Sequence, residues 1–191
     1  VSFDFDEIDE LMAAGKWEEL GARVSGEAKK LEAAGADFLL IGSNTIHKVC
    51  GAVEAAVDIP LLHIVDVTAR AIRAKGFDKV GLLGTIFTME HDFYRHRLES
   101  MHGIETQIPC RGDRLFVNEV IDRELGFGIL KEESRQRFLE IIGHLAGQGC
   151  QGVILGCTEI PLLVRQEHTP VPLFDTTRLH AEAAVREALE T

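Results

Sequence analysis

The sequence lacks the features that mark membrane and nucleic-acid-binding proteins. Its longest apolar runs are about six residues, whereas a membrane-spanning helix needs about 20. Positive charge is also scarce, because 20 Lys and Arg stand against 31 Asp and Glu and give a formal net charge of −11. An acidic chain of this kind does not favour binding to nucleic acid or to an anionic membrane. Hydrophobic residues make up 46% of the chain, which is typical of a soluble globular protein.

Cysteine is present but does not form a recognisable framework. The four cysteines show no CxxC spacing, so neither a zinc site nor a set of disulfides is predicted. The acidic first residues do not resemble a secretory signal either. We therefore expect a cytoplasmic protein with reduced cysteines and no bound metal.

Short apolar segments alternate with longer stretches of helical periodicity. The predicted strands are 37–41, 61–64, 79–83, 104–108, 152–155 and 173–174, and the predicted helices are 6–14, 17–34, 45–57, 65–75, 91–101, 114–125, 132–148 and 177–189. This alternation predicts an α/β fold with parallel-rich sheets flanked by helices. We expect two pseudo-symmetric lobes with an active site in the cleft between them. The first lobe comprises about 1–75 and 176–191, and the second about 76–175.

One strand-to-helix pattern occurs twice in the chain. The segment 35–45 has a glycine, an apolar run, a second glycine and then Ser43, and the segment 149–159 repeats this order and ends in Cys157. Side chains at such turns face a cleft at the carboxyl end of a sheet. Two such turns can approach one substrate carbon from opposite sides, which suits a proton-transfer enzyme.

Cys157 is the stronger candidate for acid–base chemistry. A helix N-terminus after the turn would stabilise a thiolate and bring the pKa of the thiol near the working pH. A buried structural cysteine is the competing interpretation, because free cysteines are often buried. The flanking Gly156, Thr158 and Glu159 favour the functional interpretation, in which Glu159 orients or activates the thiol.

Ser43 occupies the matching place without the matching acidity. Its hydroxyl could relay a proton with help from His47 or Asp66, could bind substrate, or could only cap a helix. Further donors and acceptors near the two turns are Asn44, Thr45, Thr85, Thr88 and Thr158, which suit binding of a carboxylate. The glycines at these turns follow neither GxGxxG nor GxxxxGK[ST] spacing, so we expect no nucleotide there.

These motifs resemble those of the aspartate/glutamate racemase family. The family reads C-N-T-x-H where this chain has Ser43–His47, and G-C-T-E where it has Gly156–Glu159. The similarity continues through Gly84–Met89 and Phe174–Thr177, and covers nearly all of the chain.

The resemblance implies a cofactor-independent 1,1-proton transfer that interconverts L- and D-aspartate or glutamate, usually in a homodimer. By position, Cys157 and Ser43 would be the two catalytic residues, and His47 a possible support. The substrate-binding positions that the resemblance implies are Asn44, Thr45, Thr85, Thr88, Thr158 and Glu159.

The sequence departs from the family pattern in two ways. Family members begin with a strand and a Gly-Gly-Met type loop, and we expect this N-terminal strand to be missing from the first lobe. Ser43 also replaces the usual cysteine. A hydroxyl at this place resembles the L-aspartate/glutamate-specific branch, which has threonine there and one catalytic cysteine. A single-cysteine decarboxylase or lyase and a catalytically impaired amino-acid-binding protein are the alternatives.

Overall fold

The computed structural model of the protein describes residues 1–190; Thr191, the last residue expected in the first lobe, lies outside the described residues. The helices are α1 (Phe5–Ala13), α2 (Trp17–Ala33), α3 (Cys50–Glu54), α4 (Ile64–Ala74), α5 (Ile86–Glu90), α6 (Asp92–His102), α7 (Arg111–Arg123), α8 (Glu132–Gly147), α9 (Ile160–Leu163) and α10 (Thr176–Glu190). The strands are β1 (Lys79–Gly84), β2 (Glu105–Gln107), β3 (Val153–Gly156) and β4 (Leu173–Asp175). Within residues 1–190, no helix has the length and apolarity needed to cross a membrane.

The four strands form one parallel sheet in the order β2-β1-β3-β4. Its two central strands read as continuous apolar runs because helices cover both faces. Leu82 in β1 and Ile154 in β3 are completely buried. Helices α7 and α8 pack on one face of the sheet, and α4 and α6 pack on the other. The α/β fold class predicted from the alternation is therefore confirmed.

Glycine is required where β1 and β3 end side by side. Gly84 pairs with Gly156 in the register of the two strands. A Cβ atom on Gly84 would lie 2.8 Å from the carbonyl oxygen of Gly156, and one on Gly156 would lie 2.8 Å from that of Leu83. Contacts this short against backbone force the strands apart. The two glycines thus let the turns after β1 and β3 approach each other closely.

The prediction of regular strands over 37–41 and 61–64 is wrong. Segments 37–41 and 61–64 meet only in one parallel bridge, between Leu39 and Leu61. Two backbone hydrogen bonds of 2.9 Å hold this bridge, from Leu39 N to Pro60 O and from Leu62 N to Leu39 O. The pairing stops there because Ile64 already begins α4. Among the described residues, no strand lies along the other edge of 37–41.

The helix predicted over 45–57 is shorter and divided. Residues Thr45–Val49 form a 3-10 helix, and α3 follows it directly. Thr45, Ile46 and Val49 are β-branched and lower the local helix propensity, as does Gly51 within α3. Besides the apolar layers on the two faces of the sheet, a separate apolar core joins this region to α1 and α2. Its buried residues include Leu20, Val24 and Val53.

Candidate functional site

Both copies of the repeated turn line a single large cavity. Its volume is about 1070 Å³, and its lining from the two turns consists of Ser43, Asn44, Thr45, Cys157, Thr158 and Glu159. Thr85, which follows β1, also lines it. The parallel strands β1 and β3 end at this cavity, as expected for ligand sites in open α/β sheets. The predicted site residues therefore line this cavity, with the exception of Thr88 and His47. Thr88 and His47 lie behind the lining, where each contacts a lining residue.

Cys157 follows β3 directly and is only 8% exposed. Its thiol donates a hydrogen bond of 2.8 Å to Oε2 of Glu159. Burial and the adjacent Glu159 carboxylate together raise the pKa of the Cys157 thiol far above its ordinary value. The expectation of a thiol with a lowered pKa is thus wrong. The helix that follows, α9, has four residues, so its dipole is too small to oppose these two effects.

Ser43 has a different environment. The residue is partly exposed, and its hydroxyl accepts a long hydrogen bond of 3.4 Å from Ile46 N, as a capping serine does. Its carbonyl oxygen accepts a bond of 2.7 Å from Nδ1 of His47, while Nε2 of His47 accepts one of 3.1 Å from Ile64 N. This pairing places the imidazole proton on Nδ1. Both ring nitrogens of His47 are therefore engaged by backbone.

Three histidines form a buried group beside the Ser43 turn. The ring centroid of His47 lies 4.6 Å from that of His63 and 5.9 Å from that of His180. Burial lowers the pKa of His47 to about 3 and that of His63 to about 4, and the pKa of His180 is lowered for the same reason. The three imidazoles are consequently neutral at physiological pH.

Asp66, which the sequence offered as a helper for Ser43, is engaged elsewhere. Its carboxylate accepts bonds of 2.7 and 2.6 Å from Arg97 and one of 2.8 Å from His102. Despite partial burial, these bonds lower the pKa of Asp66 to about 2. The carboxylate is thus a fixed counter-ion for α6.

Three hydroxyl groups meet at the carboxyl end of β1. Thr45 Oγ1 lies 2.9 Å from Thr85 Oγ1 and 3.2 Å from Thr88 Oγ1, and the last two lie 3.2 Å apart. Thr88 is fully buried, whereas Thr85 faces the cavity. Each hydroxyl can both donate and accept, so the group can turn its hydrogens towards a bound anion.

Two residues of the site were not identified as site residues from the sequence. Thr176 accepts a hydrogen bond of 3.0 Å from Nδ2 of Asn44, and Asn118 Oδ1 accepts one of 2.7 Å from Ile86 N at the start of α5. Thr176 follows β4 and begins α10, which is the strand-to-helix position that also marks Ser43 and Cys157. That shared position was the available signal for Thr176. Asn118 lies within α7 and had none.

Within residues 1–190, no group of three or more His, Cys, Asp or Glu side chains is arranged to hold a metal ion. In the buried histidine group, one ring nitrogen of His63 and one of His180 bond to backbone atoms: His63 Nδ1 accepts from Val65 N at 3.2 Å, and His180 Nε2 lies 2.7 Å from Leu62 O.

Solved structures with this architecture include racemases. A Yersinia pestis structure provisionally assigned as an Asp/Glu racemase is 49% identical and has a TM-score of 0.92, covering 98% of this chain and 82% of its own. An aspartate racemase homologue from Pyrococcus horikoshii is 35% identical with a TM-score of 0.85, covering 98% and 81%.

A curated relative, the glutamate racemase of Streptococcus suis, is 29% identical over 112 residues, which are 58% of this chain and 40% of that protein. The matches to curated relatives of this kind span less than half of those proteins' length. The family model for Asp/Glu/Hydantoin racemase matches residues 2–184. The chain belongs to the Asp/Glu/Hydantoin racemase family.

Proposed function

We propose that the protein is a cofactor-independent racemase that interconverts L- and D-aspartate or glutamate by 1,1-proton transfer at the α-carbon. The observation that carries this proposal is the thiol of Cys157, hydrogen-bonded to Glu159 in the cavity that Ser43 shares. A proton donor and its acceptor thus line the same cavity as Ser43. Family membership supports the same reaction type.

Cys157 and Glu159 act as one acid–base unit in this scheme. At rest the thiol holds the proton and the carboxylate accepts the hydrogen bond. For Cys157 to act as the base, its proton passes to Glu159 and the resulting thiolate removes the α-proton. Because the pKa of the resting thiol is raised, this transfer requires that bound substrate stabilise the thiolate.

Ser43 delivers a proton to the opposite face of the planar intermediate, and solvent then returns the proton held by Glu159 to the Ser43 oxygen, which restores the resting state. Its hydroxyl is the weaker acid–base group, since His47 bonds to the Ser43 carbonyl rather than to the hydroxyl. The kcat values for the L- and D-enantiomers therefore differ, although kcat/KM is equal in the two directions because the enantiomers have the same free energy. The preference for the L-form rests on the resemblance of Ser43 to the hydroxyl-bearing branch of the family. His47 supports the turn by fixing its backbone.

The threonine hydroxyls stabilise the negative charge that develops as the α-proton leaves. Thr45, Thr85 and Thr88 form one donor group, and Thr158 lies beside Cys157 on the other side of the cavity. Donors that are already in position do not need to reorganise during the reaction, and such electrostatic stabilisation is usually the largest contribution to catalysis. These residues bind the α-carboxylate in our scheme.

A single-cysteine decarboxylase or lyase of the same superfamily is the second candidate. The protonated state of Cys157 favours it, because a resting thiol is a proton donor and such an enzyme needs only one donor face. Release of carbon dioxide from a malonate-type acid would distinguish this activity from racemisation.

Proton NMR in deuterium oxide tests the proposal directly. Each of L-aspartate, D-aspartate, L-glutamate and D-glutamate is incubated with the protein, and the α-proton signal and the enantiomer ratio are followed. We expect loss of the signal together with the opposite enantiomer for aspartate or glutamate. Loss of the signal without inversion would show that Cys157 works alone. Binding without exchange would indicate an amino-acid-binding protein and contradict racemisation.

We also propose a homodimer that works in the cytoplasm. Phe127, which ends a 3-10 helix, and Ile129 and Leu130, which follow it, expose apolar side chains close together in sequence. The four cysteines are free, as expected in a reducing compartment. Light scattering after size exclusion measures the mass. A monomer at micromolar concentration would contradict the dimer.

A further inference from the structure

Two short helices meet next to the cavity, and both contribute residues to its lining. One is the 3-10 helix Thr45–Val49, and the other is α5. Thr45 and Lys48 stand three residues apart in the first helix. Thr88 and His91 stand three residues apart in the second segment, where His91 directly follows α5. Residues at this spacing lie on the same side of a helix. Each helix therefore presents a threonine and a second polar side chain together.

These four side chains form two contacts between the helices. Thr45 Oγ1 lies 3.2 Å from Thr88 Oγ1, and Lys48 Nζ lies 2.7 Å from His91 Nδ1. A lysine ammonium group can only donate, so Nδ1 of His91 accepts and the neutral imidazole carries its proton on Nε2. Burial, together with the nearby charge of Lys48, lowers the pKa of His91. The ring is therefore neutral at physiological pH and can accept this hydrogen bond.

Aromatic side chains shield the Lys48 ammonium group. Its Nζ lies 4.0 Å from the ring centroid of Trp17, the first residue of α2, which is within the range of a cation–π interaction. The ring of Trp17 also contacts the rings of Phe87 and His91 edge-on, with centroids 5.5 Å apart in both pairs. A hydrogen bond that is partly withdrawn from water is stronger than one in open solvent. The Lys48–His91 contact is therefore more than a loose surface pair.

The position of Thr45 depends on how the 3-10 helix is held. This helix has five residues, and a helix so short is not stable without contacts to the rest of the protein. His47 connects it to α4 by accepting a hydrogen bond from Ile64 N. Lys48 supplies a second connection, on the side of α5.

We propose that Lys48 is a positioning residue that acts through His91. It holds the 3-10 helix against α5, so that the hydroxyl of Thr45 joins those of Thr85 and Thr88 in one donor group. The inference rests on the proposed function for the part that this donor group takes in turnover. The arrangement itself can be tested without turnover.

Proton–nitrogen NMR of the histidine rings tests the contact in the wild-type protein. We expect neutral His91 to be the tautomer that carries its proton on Nε2, because Nδ1 accepts from Lys48. Sequential assignment identifies the signal, so this result does not depend on a variant. A proton on Nδ1 of neutral His91 would overturn the proposal.

Lys48→Met then removes the charge but keeps a long side chain over Trp17. Without the nearby ammonium group, the pKa of His91 should rise towards its ordinary value. An unchanged pKa of His91 in a folded Lys48→Met protein would contradict the contact.

The methyl groups of the three threonines report on the donor group itself, through proton–carbon NMR. In Lys48→Met we expect the signals of Thr45 and Thr88 to move. In Lys48→Arg they should stay close to their wild-type positions, because a guanidinium group can also donate to His91 Nδ1. Lys75→Met, which changes an exposed lysine at the end of α4, is the matched control. A folded Lys48→Met protein with unmoved threonine signals would overturn the proposal, whatever the protein catalyses.

The kinetics of α-proton exchange measure the consequence for the reaction. The donor group meets more negative charge in the transition state than in the bound substrate, so its displacement should lower kcat more than it raises KM. We expect Lys48→Met to lower kcat by about tenfold to a hundredfold, with KM within about threefold of the wild-type value. Lys48→Arg should recover most of the loss, and Lys75→Met should show none.

Two results separate this proposal from the racemase proposal. An unchanged kcat in a folded Lys48→Met protein would show that Lys48 does not position the donor group for the reaction. Absence of exchange in the wild-type protein, together with threonine signals that depend on Lys48, would sink the racemase proposal and support the arrangement described here.

Discussion

The Ser43 turn and the Cys157 turn have the same place in the repeat but very different surroundings. Cys157 follows a strand in the middle of a four-stranded sheet, is buried, and bonds to a carboxylate. Ser43 follows a segment with one bridge, is partly exposed, and stands beside three neutral histidines. The repeat thus determines where a reactive group lies, whereas the neighbours of that group determine which proton it can move.

Of the changes at the two turns, removal of the Cys157 thiol should have the largest effect on α-proton exchange. Cys157→Ala takes away the acid–base group on its face, and general acid–base groups contribute about 10²- to 10⁴-fold to rate. We expect α-proton exchange, followed by NMR in deuterium oxide, to fall by about 10³-fold or more.

Cys150→Ala is the matched control for that substitution. Cys150 is a buried cysteine packed in the core next to the same sheet, and it does not belong to the cavity lining. Its variant should retain exchange. Exchange that survives in Cys157→Ala would remove Cys157 from the mechanism.

A decrease in pH should destabilise the folded protein through the buried histidines, which lie beside the Ser43 turn. The pKa of His47 is about 3 and that of His63 is about 4 in the folded protein, both below the ordinary value of 6.5. The unfolded chain therefore binds more protons below pH 6.5, and stability falls as the pH decreases. We expect the unfolding equilibrium constant to rise about tenfold per pH unit for each histidine.

Urea titrations between pH 7 and pH 4 measure this effect. Below about pH 4 the contribution of His63 is complete, while that of His47 continues towards pH 3. His144→Gln, which changes an exposed histidine of α8, is the matched substitution outside the buried group. A flat stability profile from pH 6.5 to pH 4 would show that these imidazoles are not buried neutral.

The difference between the turns was only partly predictable from sequence. Apolar runs over 79–83 and 152–155 predicted β1 and β3 correctly, because continuous burial on two faces leaves a clear pattern. The run at 37–41 has the same pattern, but a strand needs neighbours, and only Leu39 finds one. Pairing is a property of the whole fold and cannot be read from one segment.

The chemistry of the site shows the same limit. The repeat predicted that Ser43 and Cys157 would reach one cavity, and both line it. It could not predict the raised pKa of the thiol, because the orientation of the Glu159 side chain, two residues away, decides it. The strand-to-helix position could have marked Thr176 as a site residue, but its pairing with Asn44 could not be predicted because the two lie 132 residues apart in sequence.

Removal of the negative charge of Glu159 should make the Cys157 thiol easier to deprotonate. Glu159→Gln takes away the negative charge that helps to raise the pKa of the thiol, so that pKa should fall towards its ordinary value. We expect alkylation of Cys157 at fixed pH to accelerate by about tenfold for each unit by which the pKa decreases. In the same variant, α-proton exchange should slow, because Glu159 is no longer available to accept the thiol proton.

Mass spectrometry of iodoacetamide-treated protein measures that rate for Cys157 alone. A Cys110→Ala background removes the exposed cysteine, and Glu167→Gln changes an exposed glutamate of the same region as a matched control. Slower alkylation in Glu159→Gln would mean that the carboxylate activates the resting thiol, contrary to the raised pKa.

Substitutions at Ser43 should have the smallest effect on α-proton exchange. Their main effect should be on inversion and on the difference between the rates from the L- and D-enantiomers. Ser43→Ala leaves the Cys157 face intact, so α-proton exchange from the L-enantiomer should fall less than about threefold while inversion falls about tenfold or more. Ser43→Cys restores a thiol in the second turn and should bring the rates from L- and D-substrate closer together. Enantiomer-resolved chromatography alongside NMR gives both rates. Undiminished inversion in Ser43→Ala would place both proton transfers on Cys157, and the two turns would then differ in function as completely as they differ in surroundings.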